Sequence, residues 1–122
     1  MSIQESGEMY LETIYQLTQE KGYVRSIDIA NRMGYSKPSV SRAVHILEEN
    51  GYIIFDTNGY LLLTDSGKEI AEQTFERHRL LTEFFTRLGV SPDIAAEDAC
   101  RIEHVISQET FDAMKEHAEK YT

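Results

Sequence analysis

Residues 26–64 read SIDIANRMGYSKPSVSRAVHILEENGYIIFDTNGYLLLT, and this stretch decides the fold. Ser26 is expected to cap a short helix that closes at Gly34, because glycine readily adopts the left-handed conformation that ends a helix. Ser36 is expected to cap a second helix, with Pro38 in its first turn, where a missing N–H costs nothing. That helix ends at Asn50-Gly51, and its predicted apolar face consists of Val40, Val44, Ile46 and Leu47.

The same stretch continues with two apolar runs, residues 52–55 and 60–63, on either side of Asp56-Thr57-Asn58-Gly59. β-Prone residues around Asn-Gly predict a hairpin. Two helices joined by a tight turn and followed at once by a hairpin form the plan of a winged helix-turn-helix. In that plan the second helix can enter a major groove of DNA while the hairpin touches the flanking backbone.

Helical patterns flank this stretch on both sides. Residues 6–20 place apolar side chains at mostly helical spacing and stop before Lys21-Gly22. Three further helices follow: one from Thr64 or Asp65 to about Leu88, one from Ser91-Pro92 to about Ile106, and one capped by Ser107. The predicted fold is mainly α with a small β-hairpin, with a winged helix-turn-helix domain at residues 1–70 and a helical domain at residues 71–122.

The composition describes a soluble globular chain. The 122 residues are 41% hydrophobic and 27% charged, and 12 Lys and Arg against 21 Asp and Glu give a net charge of −9. This acidity argues against a polybasic nucleic-acid binder, and the content of large apolar residues argues against disorder. No stretch reaches the roughly 20 apolar residues that span a bilayer, and no secretory leader is expected. A single cysteine indicates a reducing, cytoplasmic setting.

The charge is unevenly distributed along the chain. Residues 1–70 carry 6 basic and 10 acidic residues, whereas the shorter segment 71–122 carries 6 and 11. Residues 25–47 form a basic island interrupted only by Asp28, and such an island can meet a polyanion locally. The DNA-binding candidates are Arg25, Ser36, Lys37, Pro38, Ser39, Ser41 and Arg42. Ordinary solvated charges, or a winged helix used for protein contacts, are the alternatives.

A second group of residues has the chemistry of metal ligands. Cys100, Glu103 and His104 are spaced i, i+3, i+4, which places a thiol, a carboxylate and an imidazole on one helical face. The other candidates are Met9 and Glu12 in the first helix and His78 in the fourth. Sulfur, oxygen and nitrogen donors together suit a divalent transition metal of borderline softness. Each residue also has a plain alternative as core filler or solvated helix surface.

These motifs together resemble the diphtheria toxin repressor/manganese transport regulator family of metal-dependent bacterial repressors. The similarity covers nearly all of the chain. The matching motifs are Glu8-Met9-Tyr10-Leu11 with Ile14-Tyr15, Ser36-x-Pro38-Ser39-Val40-Ser41, Leu63-Thr64-x-x-Gly67, Arg77-His78, and Cys100-Arg101-x-Glu103-His104-Val105. The combination is specific, although each motif alone is not.

The resemblance implies a cytoplasmic, non-enzymatic repressor of metal-homeostasis genes. It implies that residues 71–122 form a metal-binding and dimerisation domain, that a homodimer binds palindromic operator DNA, and that metal bound between the two domains activates it. In the iron-responsive branch the primary site matches Met9, Cys100, Glu103 and His104. His78 matches a ligand of both branches, and Glu12 matches a ligand of the manganese branch.

Two departures from the family pattern bear on the metal. The manganese branch would have Asp at Met9 and a carboxylate at Cys100, so the two sulfur donors favour Fe(II), with Mn(II) second and Zn(II), Co(II) or Ni(II) possible in vitro. Thr82 and Ala96 replace ligands of the iron branch's ancillary site, which is therefore not expected. The third, SH3-like domain of longer members is not expected either.

Two alternatives remain at this point. Cys100 beside Arg101 and His104 would suit a thiol redox sensor. The same ligands would also suit a metalloenzyme with an open coordination position. The sequence shows no general base, oxyanion loop or phosphate-binding loop for catalysis, so no enzymatic activity is expected.

Overall fold

The computed structural model describes residues 5–121, and it confirms the predicted fold class. The elements are α1 (Glu5–Lys21), α2 (Ser26–Met33), α3 (Lys37–Glu49), β1 (Ile53–Phe55), β2 (Leu61–Leu63), α4 (Asp65–Arg87), α5 (Pro92–Ile102) and α6 (Gln108–Lys120). None of the helices in the described range is long and apolar enough to cross a membrane.

The chain divides into two compact units. The first ends at Glu72 and the second begins at Gln73, two residues beyond the predicted division between residues 70 and 71. The division falls inside α4. Because the helical pattern continues through this region without a turn residue, nothing in the sequence marks the boundary between the units.

The turns around α2 and α3 follow from local hydrogen bonding. Gly34 closes α2 with a φ of 73°, as predicted, and Ser36 Oγ accepts from Ser39 N at 3.3 Å at the start of α3. The predicted cap at Ser26 is wrong, because Ser26 is already helical. Asp28 reaches back instead, and its Oδ2 accepts from the backbone N of Arg25 at 2.8 Å.

The core of the first unit is formed by apolar side chains from its helices and from both strands. Its fully buried members include Leu11, Ile14, Val24, Ile29, Val40, Val44, Ile53 and Leu61. The prediction that Ile46 shares the apolar face of α3 is wrong, since Ile46 is 57% exposed. Two residues beyond Val44 correspond to about 200° around a helix, so Ile46 lies opposite the buried stripe.

The hairpin is attached to the helices by its backbone. β1 and β2 pair antiparallel, with Ile53 opposite Leu63 and Phe55 opposite Leu61. Leu61 N donates to Val24 O at 2.8 Å, which ties β2 to the segment before α2. Gly67 lies so close to β1 that an added Cβ would stand 2.1 Å from the carbonyl oxygen of Tyr52, so this position of α4 requires glycine.

The second unit is built from the rest of α4 together with α5 and α6. Its buried residues include Thr74, Leu81, Ala95, Ala99, Glu103 and Phe111. The prediction that the fifth helix reaches Ile106 is wrong. α5 ends at Ile102, residues 103–106 form a turn, and Ser107 then caps α6 by accepting from Thr110 N at 3.1 Å.

Candidate functional site

The N-terminal end of α3 presents small polar groups at the surface of the first unit. Ser36, Lys37, Pro38, Ser41 and Arg42 are exposed, and Ser39 is half-buried. Ser36 Oγ lies 2.9 Å from Ser39 Oγ, and Arg42 Nη2 lies 3.4 Å from the same Ser39 hydroxyl. Short side chains here allow a close approach to the helix N-terminus, where backbone N–H groups attract an anion.

The basic island contains two kinds of cation. The first kind is neutralised: Arg32 pairs with Glu20, with Nη2 2.7 Å from Oε1. The island's one acid, Asp28, pairs with Lys21 from outside the island, with 2.5 Å between Oδ1 and Nζ. The hydrogen bond from Lys21 is the main cause that holds the pKa of Asp28 below its ordinary value. Within residues 5–121, no carboxylate forms an ion pair with the side chains of the other three cations, which are Arg25, Lys37 and Arg42.

The six predicted metal ligands fall in both units. Met9 and Glu12 are half-buried on α1 of the first unit, one helical turn apart. His78 is on α4, Cys100 is on α5, and Glu103 and His104 are in the turn after α5. The prediction that Cys100, Glu103 and His104 share one helix is wrong, because α5 ends at Ile102; Cys100 is exposed whereas Glu103 is buried.

A buried carboxylate with two imidazoles lies at the centre of the second unit. Glu103 is 1% exposed; its Oε2 lies 2.8 Å from His78 Nδ1, and its Oε1 lies 3.2 Å from His104 Nε2. Burial raises the pKa of Glu103, but the imidazoles of His104 and His78 outweigh it and leave the pKa below its ordinary value. A buried anionic oxygen donor between two nitrogen donors has the chemistry of a divalent-metal site.

The three side chains are not closed into a ligand shell. In the part of the chain that the structure describes, no group of three or more His, Cys, Asp and Glu side chains has metal-site geometry. The donor types nevertheless fit a divalent cation, because such an ion takes carboxylate oxygens and imidazole nitrogens as ligands, and burial keeps water away from the carboxylate.

Arg77 supports the Glu103 cluster, and sequence reasoning did not include it among the candidate site residues. Its Nη1 donates to the carbonyl oxygens of Glu103 at 3.1 Å and Ile106 at 3.0 Å, and its Nη2 donates to Gln108 Oε1 at 2.8 Å. The guanidinium also lies over the Phe111 ring at 5.5 Å. Arg77 thus holds the turn that carries Glu103. Its only sequence signal is its place next to His78, since its partners lie 26 to 31 residues away.

Comparison with protein families matches the two parts of the chain to two different domains. Residues 2–61 match the N-terminal DNA-binding domain of the iron-dependent repressors, and residues 64–122 match their metal-binding and dimerisation domain. The exposed end of α3 lies in the first match, and the buried Glu103 cluster lies in the second. The molecule is therefore a metal-dependent, DNA-binding transcriptional regulator.

Individual relatives place the chain within that class. The transcriptional regulator MntR of Escherichia coli O6:H1 is 38% identical over 112 residues, which are 92% of this chain and 72% of the relative. MntR of Salmonella typhimurium is 40% identical over 104 residues, covering 85% and 66%. The chain belongs to the diphtheria toxin repressor/manganese transport regulator family.

Solved structures agree with this assignment. The manganese regulator SloR superposes with a TM-score of 0.82 at 28% identity, and the IdeR of T. acidophilum superposes with a TM-score of 0.81 at 27% identity. Each comparison covers 98% of this chain and 55% of the other, so the chain spans about half the length of these solved relatives.

Proposed function

We propose that this protein represses metal-homeostasis genes by binding palindromic operator DNA as a homodimer, with Fe(II) as the preferred activating metal and Mn(II) second. The observation that carries the proposal is the buried Glu103 carboxylate, with an imidazole nitrogen within 3.2 Å of each oxygen. The relatives named above include manganese regulators and an IdeR, and they support a divalent metal in general. The proposed setting is the cytoplasm, and the proposal includes no enzymatic step.

The proposed ligand set has hard and soft members. It consists of Met9, Glu12, His78, Cys100, Glu103 and His104. Glu103 contributes charge from a site that excludes water, which strengthens its attraction for a cation. A thioether and a thiolate weaken the site's preference for Mn(II), which suits carboxylate and water ligands, and this supports Fe(II).

The proposed DNA contacts divide into positioning and base-reading groups. Arg25 and Lys37 would bind phosphates, and Arg42, one turn into α3, would reach a guanine edge. Ser36, Pro38, Ser39 and Ser41 would let the start of the helix approach the groove. Metal would regulate this binding only to the extent that it binds the DNA-competent state more tightly than the other.

The test is metal-dependent DNA binding under anaerobic conditions. Duplexes selected from a random pool by the metal-loaded protein serve as the operator probe, and fluorescence anisotropy reports affinity as Fe(II) or Mn(II) is titrated. Glu103→Gln is expected to abolish the metal response. Glu97→Gln is the matched control, because Glu97 is an exposed carboxylate on α5 that pairs with Arg101 at 3.3 Å. DNA affinity that ignores metal, or a metal response that survives Glu103→Gln, would contradict the proposal.

The exposure of Cys100 favours thiol redox sensing as a second candidate. An accessible thiol can be oxidised by peroxide, whereas a buried one is protected. Under this alternative, mild peroxide would release the metal-free protein from DNA, and Cys100→Ser would remove the effect. Equal DNA affinity of the metal-free protein with and without peroxide would exclude it.

A further inference from the structure

The first unit carries a cluster of alternating cations and aromatic rings beside the hairpin. We call it the wing-anchor cluster; its members are Lys21, Tyr23, Arg25 and Tyr60. The Arg25 guanidinium lies over the Tyr60 ring, 4.9 Å from its centroid, and Arg25 Nη2 donates to the Tyr60 hydroxyl at 3.2 Å. The rings of Tyr60 and Tyr23 are 5.1 Å apart, and Lys21 lies 5.5 Å from the Tyr23 centroid.

The backbone fixes the distance between Tyr60 and Arg25. Leu61 N donates to Val24 O, so the residues next to this pair are hydrogen-bonded across the two segments. The turn of the hairpin holds Tyr60 from the other side, because Asp56 Oδ1 accepts from Tyr60 N at 2.9 Å. Tyr60 is half-buried and Arg25 is exposed, so neighbouring residues hold the ring in place while the guanidinium remains accessible to solvent.

The partner of Arg25 orients its charge without neutralising it. Arg32, near the end of the helix α2 that follows Arg25, shows the opposite case, since Glu20 neutralises its charge at 2.7 Å. Asp28, the nearest acid to Arg25 in the sequence, is occupied by the Lys21 ammonium and by the backbone N of Arg25. An aromatic face attracts a cation through its quadrupole and leaves the positive charge available to a third group.

We propose that Tyr60 is a positioning residue for DNA binding, which holds the Arg25 guanidinium ready for a backbone phosphate. The inference rests on the proposed function. A free arginine side chain has many rotamers, and ordering it on binding weakens affinity; a guanidinium already stacked on Tyr60 loses less freedom. Tyr60 acts through Arg25 and not through its own contact with DNA.

The experiment is a double-mutant cycle on the metal-loaded protein. Affinity for the selected operator duplex is measured against KCl concentration for wild type, Tyr60→Leu, Arg25→Ala and the double variant. Tyr60→Leu is expected to weaken binding about 3- to 10-fold, in keeping with an ordered cation–aromatic contact. Arg25→Ala is expected to weaken it further and to reduce the salt slope by about 1. In the Arg25→Ala background, Tyr60→Leu is expected to have no further effect.

Conservative variants separate positioning from folding. Tyr60→Phe keeps the ring and is expected to retain most of the affinity. Arg25→Lys keeps the charge at an exposed site but loses the planar group that stacks, and it is expected to weaken binding about as much as Tyr60→Leu. Thermal unfolding of each variant is measured in parallel, and Arg25→Lys supplies the test if Tyr60→Leu proves unstable.

Three results would overturn the inference: wild-type affinity in Tyr60→Leu, equal effects of Tyr60→Leu with and without Arg25, or wild-type affinity in Arg25→Lys. The failure of the proposed function is a different result, because the wild-type protein would then show no metal-dependent DNA binding at all.

Discussion

The two units each carry a cluster built around arginine, and the clusters differ in what is buried. In the first unit, Arg25 is exposed and stacks on Tyr60 with its charge available. In the second unit, Arg77 donates to the backbone carbonyls of the turn that contains Glu103, and the Glu103 carboxylate is 1% exposed. An exposed charge is screened by water and contributes little to stability, whereas a buried polar cluster is costly to break. We therefore expect substitutions in the second cluster to lower stability more than substitutions in the first.

The largest effect is expected from breaking the buried cluster at Arg77. Arg77→Leu removes donors from three acceptors, two of them backbone carbonyls, and should lower the free energy of unfolding of the metal-free protein by about 2–4 kcal/mol. Urea unfolding measures this loss. Arg79→Leu, two residues along α4 at an exposed position, is the control and should change stability by less than about 0.5 kcal/mol. Equal losses in the two variants would mean that the turn does not depend on Arg77.

The next effect concerns the metal and not the fold. Replacing the two proposed sulfur ligands by carboxylates, Met9→Asp with Cys100→Glu, should shift the ratio of Mn(II) to Fe(II) affinity at least about tenfold towards Mn(II), because hard donors suit the harder ion. Anaerobic competition titrations measure the ratio. The control is Met114→Leu, which changes a methionine at a half-buried position on α6 outside the proposed ligand set. An unchanged ratio would remove Met9 and Cys100 from the ligand set.

A comparable but sequence-specific effect is expected at the exposed end of α3. Arg42→Ala should weaken operator binding by about 1–3 kcal/mol and relax the preference for one base pair, if Arg42 reads a guanine edge. Lys37→Ala should weaken binding to all duplexes and reduce the salt slope by about 1. Anisotropy with operator and scrambled duplexes separates the two patterns. Equal loss on both duplexes for Arg42→Ala would make it a phosphate contact.

The smallest effect is expected from the exposed ion pair of Asp28. The pKa of Asp28 is lowered in the folded protein, so its stabilisation is present above the unfolded pKa of about 3.9 and is lost as the pH falls through the folded value. Asp28→Asn should cost about 1 kcal/mol or less near pH 7, and the difference from wild type should shrink below about pH 4. Thermal unfolding between pH 3 and 7 measures it. A difference that stays constant with pH would mean that the negative charge of Asp28 does not stabilise the folded protein.

Local chemistry explains what could be predicted about the fold. Ser36, Gly34 and Asn58-Gly59 act within a few residues of themselves, and the helices and hairpin they delimit were found close to the predicted positions. The errors have competing hydrogen bonds as their cause, one of them local and the other long-range. Asp28 displaced Ser26 as the cap of α2, and the carbonyls of the turn after α5 bond to Arg77 instead of continuing the helix.

The sequence by itself determined the order of elements, the basic island and the residue types available to a metal. Only the tertiary structure decided which charged side chains are buried, which form ion pairs and which are exposed. Tyr60 meets Arg25 across 35 residues, and His78 meets Glu103 across 25. Such pairs depend on how elements pack and not on local propensity, so no spacing rule predicts them. The same packing buries Glu103 and leaves Cys100, only three residues earlier, exposed.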